Sequence, residues 1–592
     1  MHFESDHNIG SKLPLKQFHE SLMIFSQYIP TLPLVKKFTI IHKFRIARLV
    51  SLGLLLPVME VSLIGSVYII LNGQLPISLQ TLFGQVFKGQ LGNSGESAIL
   101  ILCVICVSGI FILGFLKRHL AIITAKTTYD IYQDEVNTTS KLYFNIPGWA
   151  HLKEQNDDIL NIIFNISGIT AQYYISLIKV VNTCIPITIL IIAASLSSFY
   201  LTVIALFIGT LTIIINYWNF NNMQSIATEQ QTIQKTVIHE IYQNILSFEL
   251  IKFDQLQTPI LKKIRKVIAQ DWQWRVQRRT TIANTNVMSD LIGLIAILTL
   301  AGINTLIINA PVETFIVIIL LLNRLRGYTS ELQSSILELK GSLPSVMKSL
   351  ETHNRLNNYS NQSKTHLNEF THIKFNNVNF NYGNKHVLKN INLNIAPGKW
   401  VLLSGQSGEG KSTLLKLMTG YYQPNSGTII LNDNQESIQE LDFNSIQQEM
   451  FYSNNDLYLP DTSLKEAIDR NNTMSDEEIT QIIHKSCLAE LLTERESLNI
   501  QIGENASNLS EGQRQRLILS RLFLKTPRIV ILDEATSNLD QQTELNIFEN
   551  IQKHLGDHSV VIMAAHKTPA DLTFHKTLNL HKGELKQNTL IK

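Results

Sequence analysis

The segment from Gly405 to Ser412 has a composition and spacing suited to holding a nucleoside triphosphate. It reads Gly-Gln-Ser-Gly-Glu-Gly-Lys-Ser and fits the phosphate-loop pattern G-x-x-x-x-G-K-[ST]. Glycines let backbone N–H groups approach phosphate oxygens, and the start of the following helix adds a favourable dipole. Lys411 would bring charge to the outer phosphates, and the Ser412 hydroxyl would reach Mg²⁺. The predicted nucleotide-binding residues here are Gly405, Gln406, Ser407, Gly408, Glu409, Gly410, Lys411, Ser412 and Thr413.

A pair of carboxylates forms the second chemical element. Four apolar residues, 529–532, run into Asp533 and Glu534, as in a buried strand that delivers acids to its carboxyl end. Open α/β sheets bind their ligands at that edge. Asp533 would hold Mg²⁺ through water, and Glu534 would act as general base toward the attacking water.

A third element, Leu509-Ser510-Glu511-Gly512-Gln513, stands before a helical run and upstream of the carboxylate strand. The ordered set of phosphate loop, this segment and the Asp-Glu strand resembles the ATP-binding cassette (ABC) family, whose signature is Leu-Ser-Gly-Gly-Gln. The resemblance implies that the nucleotide is ATP and that two cassettes sandwich two ATP molecules. It also implies that Ser510 and Gly512, with Gln513 beside them, face the γ-phosphate bound to the other cassette.

The same resemblance assigns three more residues. Tyr382 matches the aromatic residue that stacks on adenine, and His566 matches the switch histidine that reaches the γ-phosphate and joins Glu534 in catalysis. Asn455 stands where the family usually has a glutamine that senses Mg²⁺, so the predicted metal set is Ser412, Asn455 and Asp533. The shorter Asn455 and the acidic Glu511 depart from the family pattern, and Glu511 is expected to weaken cassette closure unless it points outward.

The elements that precede this site are apolar. Hydrophobic residues make up 45% of the 592-residue chain and charged residues 17%, against about 25% charged in an ordinary soluble domain. A membrane-spanning helix needs about 20 mostly apolar residues. Six runs meet or approach that length: 48–72, 98–117, 174–195, 199–217, 288–308 and 312–330.

The polar stretches 118–173 and 218–287 separate these runs into pairs. The second stretch is rich in Lys and Arg, and positive charge marks the cytoplasmic side. Both stretches and both termini are therefore predicted to be cytoplasmic, in a multi-pass protein of the bacterial inner membrane. Apolar periodicity predicts that the stretches are helices prolonged beyond the membrane, with tips near 149–156 and 245–253 that couple to the cassette.

These patterns predict a multidomain membrane protein. A six-helix, all-α transmembrane domain like that of type I ABC exporters is followed by an α/β P-loop NTPase domain. The expected divisions are an N-terminal segment at 1–46, the transmembrane domain at 47–335, a polar linker at 336–370 and the nucleotide-binding domain at 371–592. Because two composite ATP sites need two cassettes and the chain has one, a homodimer is the simplest closure. A heterodimer with a second gene product stays open.

The resulting functional hypothesis is export driven by ATP hydrolysis, with a small or peptide cargo of the bacteriocin kind. The alternatives are a flippase for a lipid or lipid-linked oligosaccharide and, in another class, an ATP-gated channel or regulator. A net charge of +2 without a Lys/Arg-rich run gives no reason to expect nucleic acid as a partner. Charges inside the spans are the only pointers to cargo. Glu60 and Arg324 are expected to line the cargo path. The alternatives are an internal salt bridge or, for Arg324, a side chain that snorkels toward the membrane surface.

Overall fold

The computed structural model describes residues 38–592 apart from several short stretches. Besides residues 1–37, the stretches outside the description are 39, 73–94, 155, 198, 304–305, 307–310, 361–364, 368–369, 434–435, 496–497, 566–571 and 589–592. The chain divides into two compact units. The first is Met1–Phe144 with Glu154–Asn357, and the second is Asn145–Lys153 with Asn358–Lys592.

The first unit is built from long helices. In lipid every backbone polar group must be satisfied within its own segment, so apolar runs of this length fold as helices. Six long helices contain the predicted apolar runs, except that the fifth run extends past Ile303 into residues outside the description. The helices of this unit are α1 (Lys43–Asn72), α2 (Gly95–Phe144), α4 (Asn156–Asn161), α5 (Ser167–Ser197), α6 (Phe199–Leu246), α7 (Phe248–Phe253), α8 (Gln257–Ile303) and α9 (Val312–Ser360), and a π-helical turn, Ile162–Ile166, joins α4 to α5.

Several of these helices are far longer than a bilayer requires. Helix α2 has 50 residues, which at about 1.5 Å per residue exceeds the ~30 Å hydrocarbon core more than twofold. The predicted helical extensions are thus present. Among the described residues, four stretches are long and apolar enough to cross a membrane: Lys43–Val67, Ile101–Phe144, Asp158–Leu196 and Gln257–Ile303.

Most of the predicted linker is helical. Residues 336–360 continue α9, which is described as far as Ser360. The segment is polar, but its polar side chains are partly buried against α2: Ser349 donates a hydrogen bond to Glu135, and His353 lies 2.8 Å from the Thr139 hydroxyl. Because a neighbouring helix satisfies these groups, polarity here does not mark a loop.

The second unit carries two sheets. A three-stranded antiparallel sheet has the order β2-β1-β4, and a six-stranded sheet has the order β5-β6-β7-β3-β8-β9, parallel except for β9. The strands are β1 (Ile373–Tyr382), β2 (Lys385–Ile395), β3 (Trp400–Ser404), β4 (Ser426–Ile430), β5 (Met450–Asn454), β6 (Ile529–Asp533), β7 (Val560–Ala564), β8 (Lys576–His581) and β9 (Glu584–Asn588). The helices are α3 (Gly148–His151), α10 (Lys411–Met418), α11 (Phe443–Gln448), α12 (Leu464–Ile468), α13 (Asp476–Lys485), α14 (Ala489–Arg495), α15 (Glu511–Ser520) and α16 (Gln541–Leu555).

The six-stranded sheet is buried on both faces. Along β6, Ile529 and Ile531 pack into one apolar core, whereas Val530 and Leu532 pack into the other. Such continuous apolar runs are typical of parallel strands covered on both sides. Since β3, β6 and β7 are parallel neighbours, their carboxyl ends meet at one edge, where the predicted site residues follow.

Candidate nucleotide site

The phosphate loop connects β3 to α10. Gly410 is the residue before α10 and has a φ of 102°, a left-handed conformation that suits glycine. At Gly405 a Cβ would lie 2.6 Å from the carbonyl oxygen of Leu580, so the loop needs a glycine there as well. Lys411 is buried, and its Nζ donates to the carbonyl oxygens of Gly405 at 2.9 Å and Gln406 at 3.1 Å. The lysine thus holds its charge against the inside of the loop.

A cavity of about 470 Å³ opens in front of this loop. Ser407–Thr413 line it together with Tyr382, Glu534 and the basic residues Lys385 and Lys582. The Tyr382 side chain is half-exposed, and its hydroxyl lies 3.3 Å from that of Thr413. The structure therefore brings the predicted adenine-stacking residue, phosphate loop and general base to one cavity of suitable charge.

Glu409 is an acid inside the phosphate loop, where it would face phosphates of like charge. Its carboxylate accepts a hydrogen bond from the Gln406 N–H at 2.9 Å and lies 2.9 Å from Nδ1 of His581. Burial works to raise the pKa of Glu409, but Gln406, His581 and the backbone N–H of Lys582 together outweigh it and lower the pKa below its usual range. The carboxylate is held by the loop itself and by β8.

Asp533 ends β6 beside the cavity and is only 6% exposed. Burial, opposed by a hydrogen bond from Ser412 and assisted by the charge of Glu534, raises the pKa of Asp533 above its ordinary value. Its Oδ1 is buried and has no hydrogen-bond partner among the described residues. An orphaned carboxylate oxygen next to a serine hydroxyl fits a hard cation such as Mg²⁺, whose charge would reverse the burial penalty.

Asn455, predicted for the metal set, is engaged elsewhere. Its Nδ2 donates to Ser537 Oγ at 3.0 Å, and its Oδ1 accepts from Gln515 Nε2 at 2.9 Å. The amide beside the carboxylate belongs instead to Asn454, which pairs in register with Asp533 across β5 and β6. The one-residue difference arises because Asn454 is the last residue of β5 and lies opposite Asp533 in the register, whereas Asn455 stands in the turn that follows.

Tyr452 joins Asn454 to the carboxylate, and sequence reasoning missed both residues. The Asn454 Nδ2 donates to the Tyr452 hydroxyl at 3.3 Å, which donates to Asp533 Oδ2 at 3.4 Å. The Oδ1 of Asn454 is buried without a partner among the described residues, as is that of Asp533. The period of two along β5 could have shown that Tyr452 and Asn454 share a face.

The signature segment caps its own helix. The Ser510 Oγ accepts from the Gln513 N–H at 3.2 Å, and Gln513 Oε1 accepts from the Ser510 N–H at 3.0 Å, which forms a capping box at the start of α15. A Cβ on Gly512 would lie 3.2 Å from the Asn538 carbonyl oxygen. None of the described residues that line the cavity comes from this segment. The chain therefore does not bring its signature to its own phosphate loop.

Glu511 has a partner within α15. Its carboxylate accepts from Arg514 Nη1 at 2.9 Å, and the Arg514 side chain is mostly buried. The extra negative charge of the signature is thus offset locally. His566, the predicted switch histidine, lies outside the described residues.

The fold and the site together define a P-loop nucleoside triphosphatase domain joined in one chain to a helical membrane domain. The family model described as ABC transporter matches residues 388–537, which include the phosphate loop, signature and carboxylate strand. Residues 388–537 thus form a domain of the ABC transporter family, and the chain is a fused half-transporter with an ABC-type ATPase, as the sequence predicted.

Relatives of this type span most of the chain. The ATP-dependent lipid A-core flippase 2 of Colwellia psychrerythraea is 28% identical over 82% of this chain and 84% of its own length. The microcin-J25 export ATP-binding/permease protein McjD of Escherichia coli is 25% identical over 81% and 84%. A bacterial Atm1-family ABC exporter solved with ATP bound shares the fold, with a TM-score of 0.77 and 17% identity over 93% of this chain and 95% of that one. The predicted fold class is confirmed, and the chain is a multi-pass membrane protein.

Proposed function

We propose that the protein is a homodimer that exports cargo across the bacterial inner membrane, with both termini in the cytoplasm. The dimer is supported by the position of the signature segment. Ser510 and Gly512 of this segment lie outside the cavity that Lys411 and Glu534 line. Two chains facing each other would give each cavity a signature from its partner, which is an isologous arrangement.

Within each cavity the residues have separate tasks. Lys411 would bind the outer phosphates, and the half-exposed ring of Tyr382 would stack on adenine. Glu534 would accept a proton from the attacking water. Mg²⁺ would neutralise charge on the transferred phosphoryl group, held by Ser412, Asp533 and the amide of Asn454. In this assignment Asn455 acts through Gln515 and Ser537 rather than on the metal.

The similarities to known proteins support two classes of cargo. A bacteriocin-like peptide is supported by the similarity to a microcin exporter. A lipid or lipid-linked glycan is supported by the similarity to a lipid A-core flippase. Either cargo would cross through the helices of the first unit.

Purified full-length protein reconstituted in liposomes tests the proposal. ATP hydrolysis and cargo movement should both depend on Glu534, and Glu534→Gln should lower hydrolysis by about 10²–10⁴-fold because the general base is lost. Glu544→Gln, which alters an acid on α16 outside the cavity, is the control. Hydrolysis at the same rate in Glu534→Gln would refute the catalytic assignment, and hydrolysis without movement of either cargo class would refute export.

A further inference from the structure

Three helices of the first unit meet at a buried carboxylate. Glu60 of α1 is 4% exposed. Lys117 Nζ of α2 and Arg324 Nη2 of α9 each lie 2.7 Å from the same oxygen, Oε1. The hydroxyl of Tyr328 donates to the other oxygen, Oε2, at 2.9 Å. The sequence suggested a pair of Glu60 and Arg324, and the structure adds a second cation.

The charges of this cluster do not cancel. Two cations share one carboxylate, which leaves one positive charge in excess. Among the described residues, Lys117 and Arg324 have no second acidic partner. The next acid along α9 is Glu331, seven residues away from Arg324, or about 10 Å at 1.5 Å per residue. An unneutralised charge within a membrane-spanning helix is energetically unfavourable unless an opposite charge or water contacts it.

A neighbouring pair shows the contrast. Arg326, two residues further along α9, lies 3.7 Å from Asp290 of α8, so that one cation meets one carboxylate. Of these two clusters, only the one that contains Lys117 and Arg324 carries an excess positive charge. Their side chains are 44% and 42% exposed, whereas that of Glu60 is 3% exposed. The two cationic side chains are therefore partly exposed, whereas the carboxylate that orients them is buried.

We propose that Lys117 and Arg324 bind an anionic group, a phosphate or a carboxylate, carried by the exported cargo. Glu60 is the positioning residue that holds both cations toward the same point. The Arg324 guanidinium suits an oxyanion through paired N–H donors, and the Lys117 ammonium adds a point charge. Arg324 lies twelve residues into α9, about 18 Å from its start at 1.5 Å per residue, so the anion must be attached to an apolar body. The inference rests on the proposed export function and narrows its cargo.

The test uses the full-length protein in nanodiscs of neutral phosphatidylcholine. Two single-chain anions serve as probes: dodecyl phosphate for a lipid-type phosphate and N-dodecanoylglycine for a peptide-type carboxylate. Dodecyl maltoside, with the same chain and no charge, is the reference. Binding is measured as the probe-induced rise in Tm without ATP, and stimulation is measured as added ATPase activity.

One or both anions should raise Tm and stimulate hydrolysis, and the maltoside should do neither. The probe that acts identifies the source of the anion. Arg324→Gln and Lys117→Gln should each raise the half-saturating concentration by at least about tenfold, because a charge-assisted contact is lost. Arg324→Lys keeps the positive charge and should raise the half-saturating concentration by only about threefold. Arg326→Gln removes a cation that has its own carboxylate and should leave the response unchanged.

Equal midpoints in the wild type and Arg324→Gln, or equal responses to the anions and the maltoside, would overturn the inference. The Tm measurement needs no hydrolysis, so it tests the anion site even if ATPase activity is absent. Absent ATPase activity would count against the proposed function alone.

Discussion

Single residues decide how carboxylates near the phosphate-binding segments are accommodated. Glu511 and Glu409 both add a carboxylate to segments that handle phosphate, and each has a cationic or N–H partner that offsets it. Arg514 is the partner of Glu511, whereas the Gln406 N–H and His581 are the partners of Glu409. The sequence predicts that Glu511 weakens cassette closure unless it points outward. Its bond to Arg514, three residues on, offsets part of that charge, since such pairs neighbour each other on a helix.

The adjacent residues Asn454 and Asn455 have different partners, and this difference leads to a prediction about Mg²⁺ binding. Asn454→Ala should raise the Mg²⁺ concentration needed for half-maximal ATPase by about tenfold, because an amide oxygen next to Asp533 is lost. Asn455→Ala should leave that concentration unchanged and instead lower cargo-stimulated hydrolysis, because its bonds go to Ser537 and Gln515. The measurement is a Mg²⁺ titration of ATPase activity in both variants. A Mg²⁺ shift in Asn455→Ala alone would reverse the assignment.

At the scale of elements, the short helix α3 overlaps the first predicted cytoplasmic tip, 149–156. It begins after Pro147, whose φ of −65° starts the turn, and it belongs to the second unit. Trp149 packs edge to face on Tyr359, with 5.5 Å between ring centroids. The second tip, α7, carries the exposed side chains of Phe248, Leu250 and Phe253. Exposed apolar residues at such a tip suit a protein contact.

The close packing of α3 gives a prediction at the scale of elements. A Cβ on Gly148 would lie 2.2 Å from Tyr421 and 3.1 Å from Phe443, so Gly148→Ala must displace the tip or the ring. Overpacking typically costs about 1–3 kcal/mol, which should reduce the docked population and the cargo moved per ATP by about tenfold. The measurement is the ratio of transport to hydrolysis in liposomes.

The matched control for that variant is Gly168→Ala in α5, where nothing lies within 4 Å of the added Cβ. A transport ratio in Gly148→Ala equal to that of the control would show that the tip tolerates displacement, and α3 would then have no coupling role.

For the whole molecule, the decisive feature is that the signature segment lies outside the cavity formed at the phosphate loop of the same chain. We expect Lys411→Ala and Ser510→Asp to be inactive alone. Aspartate still caps a helix, so the second variant should keep α15 while opposing the phosphate with a negative charge. Co-expressed, the two should regain about a quarter of wild-type ATPase, since random pairing makes half of the dimers mixed and each mixed dimer has one intact site.

The control for the mixing experiment combines Lys411→Ala with Glu534→Gln. Both residues line the same cavity, so every mixed dimer would carry one fault in each site and no activity should return. No recovery in the first mixture would mean that the signature acts on its own chain, and the proposed dimer would be wrong.

Local patterns in the sequence determined much of this protein. The phosphate loop, the Asp533–Glu534 strand end and the apolar runs could be predicted because contiguous residues carry each signal, as could the helical extensions. The tertiary structure alone decided that Asn454 rather than Asn455 lies beside Asp533, because the register of β5 with β6 sets which residue lies opposite Asp533. It also decided that Lys117 of α2 joins Glu60 of α1 and Arg324 of α9. Such contacts depend on packing between elements, and no local pattern encodes that packing.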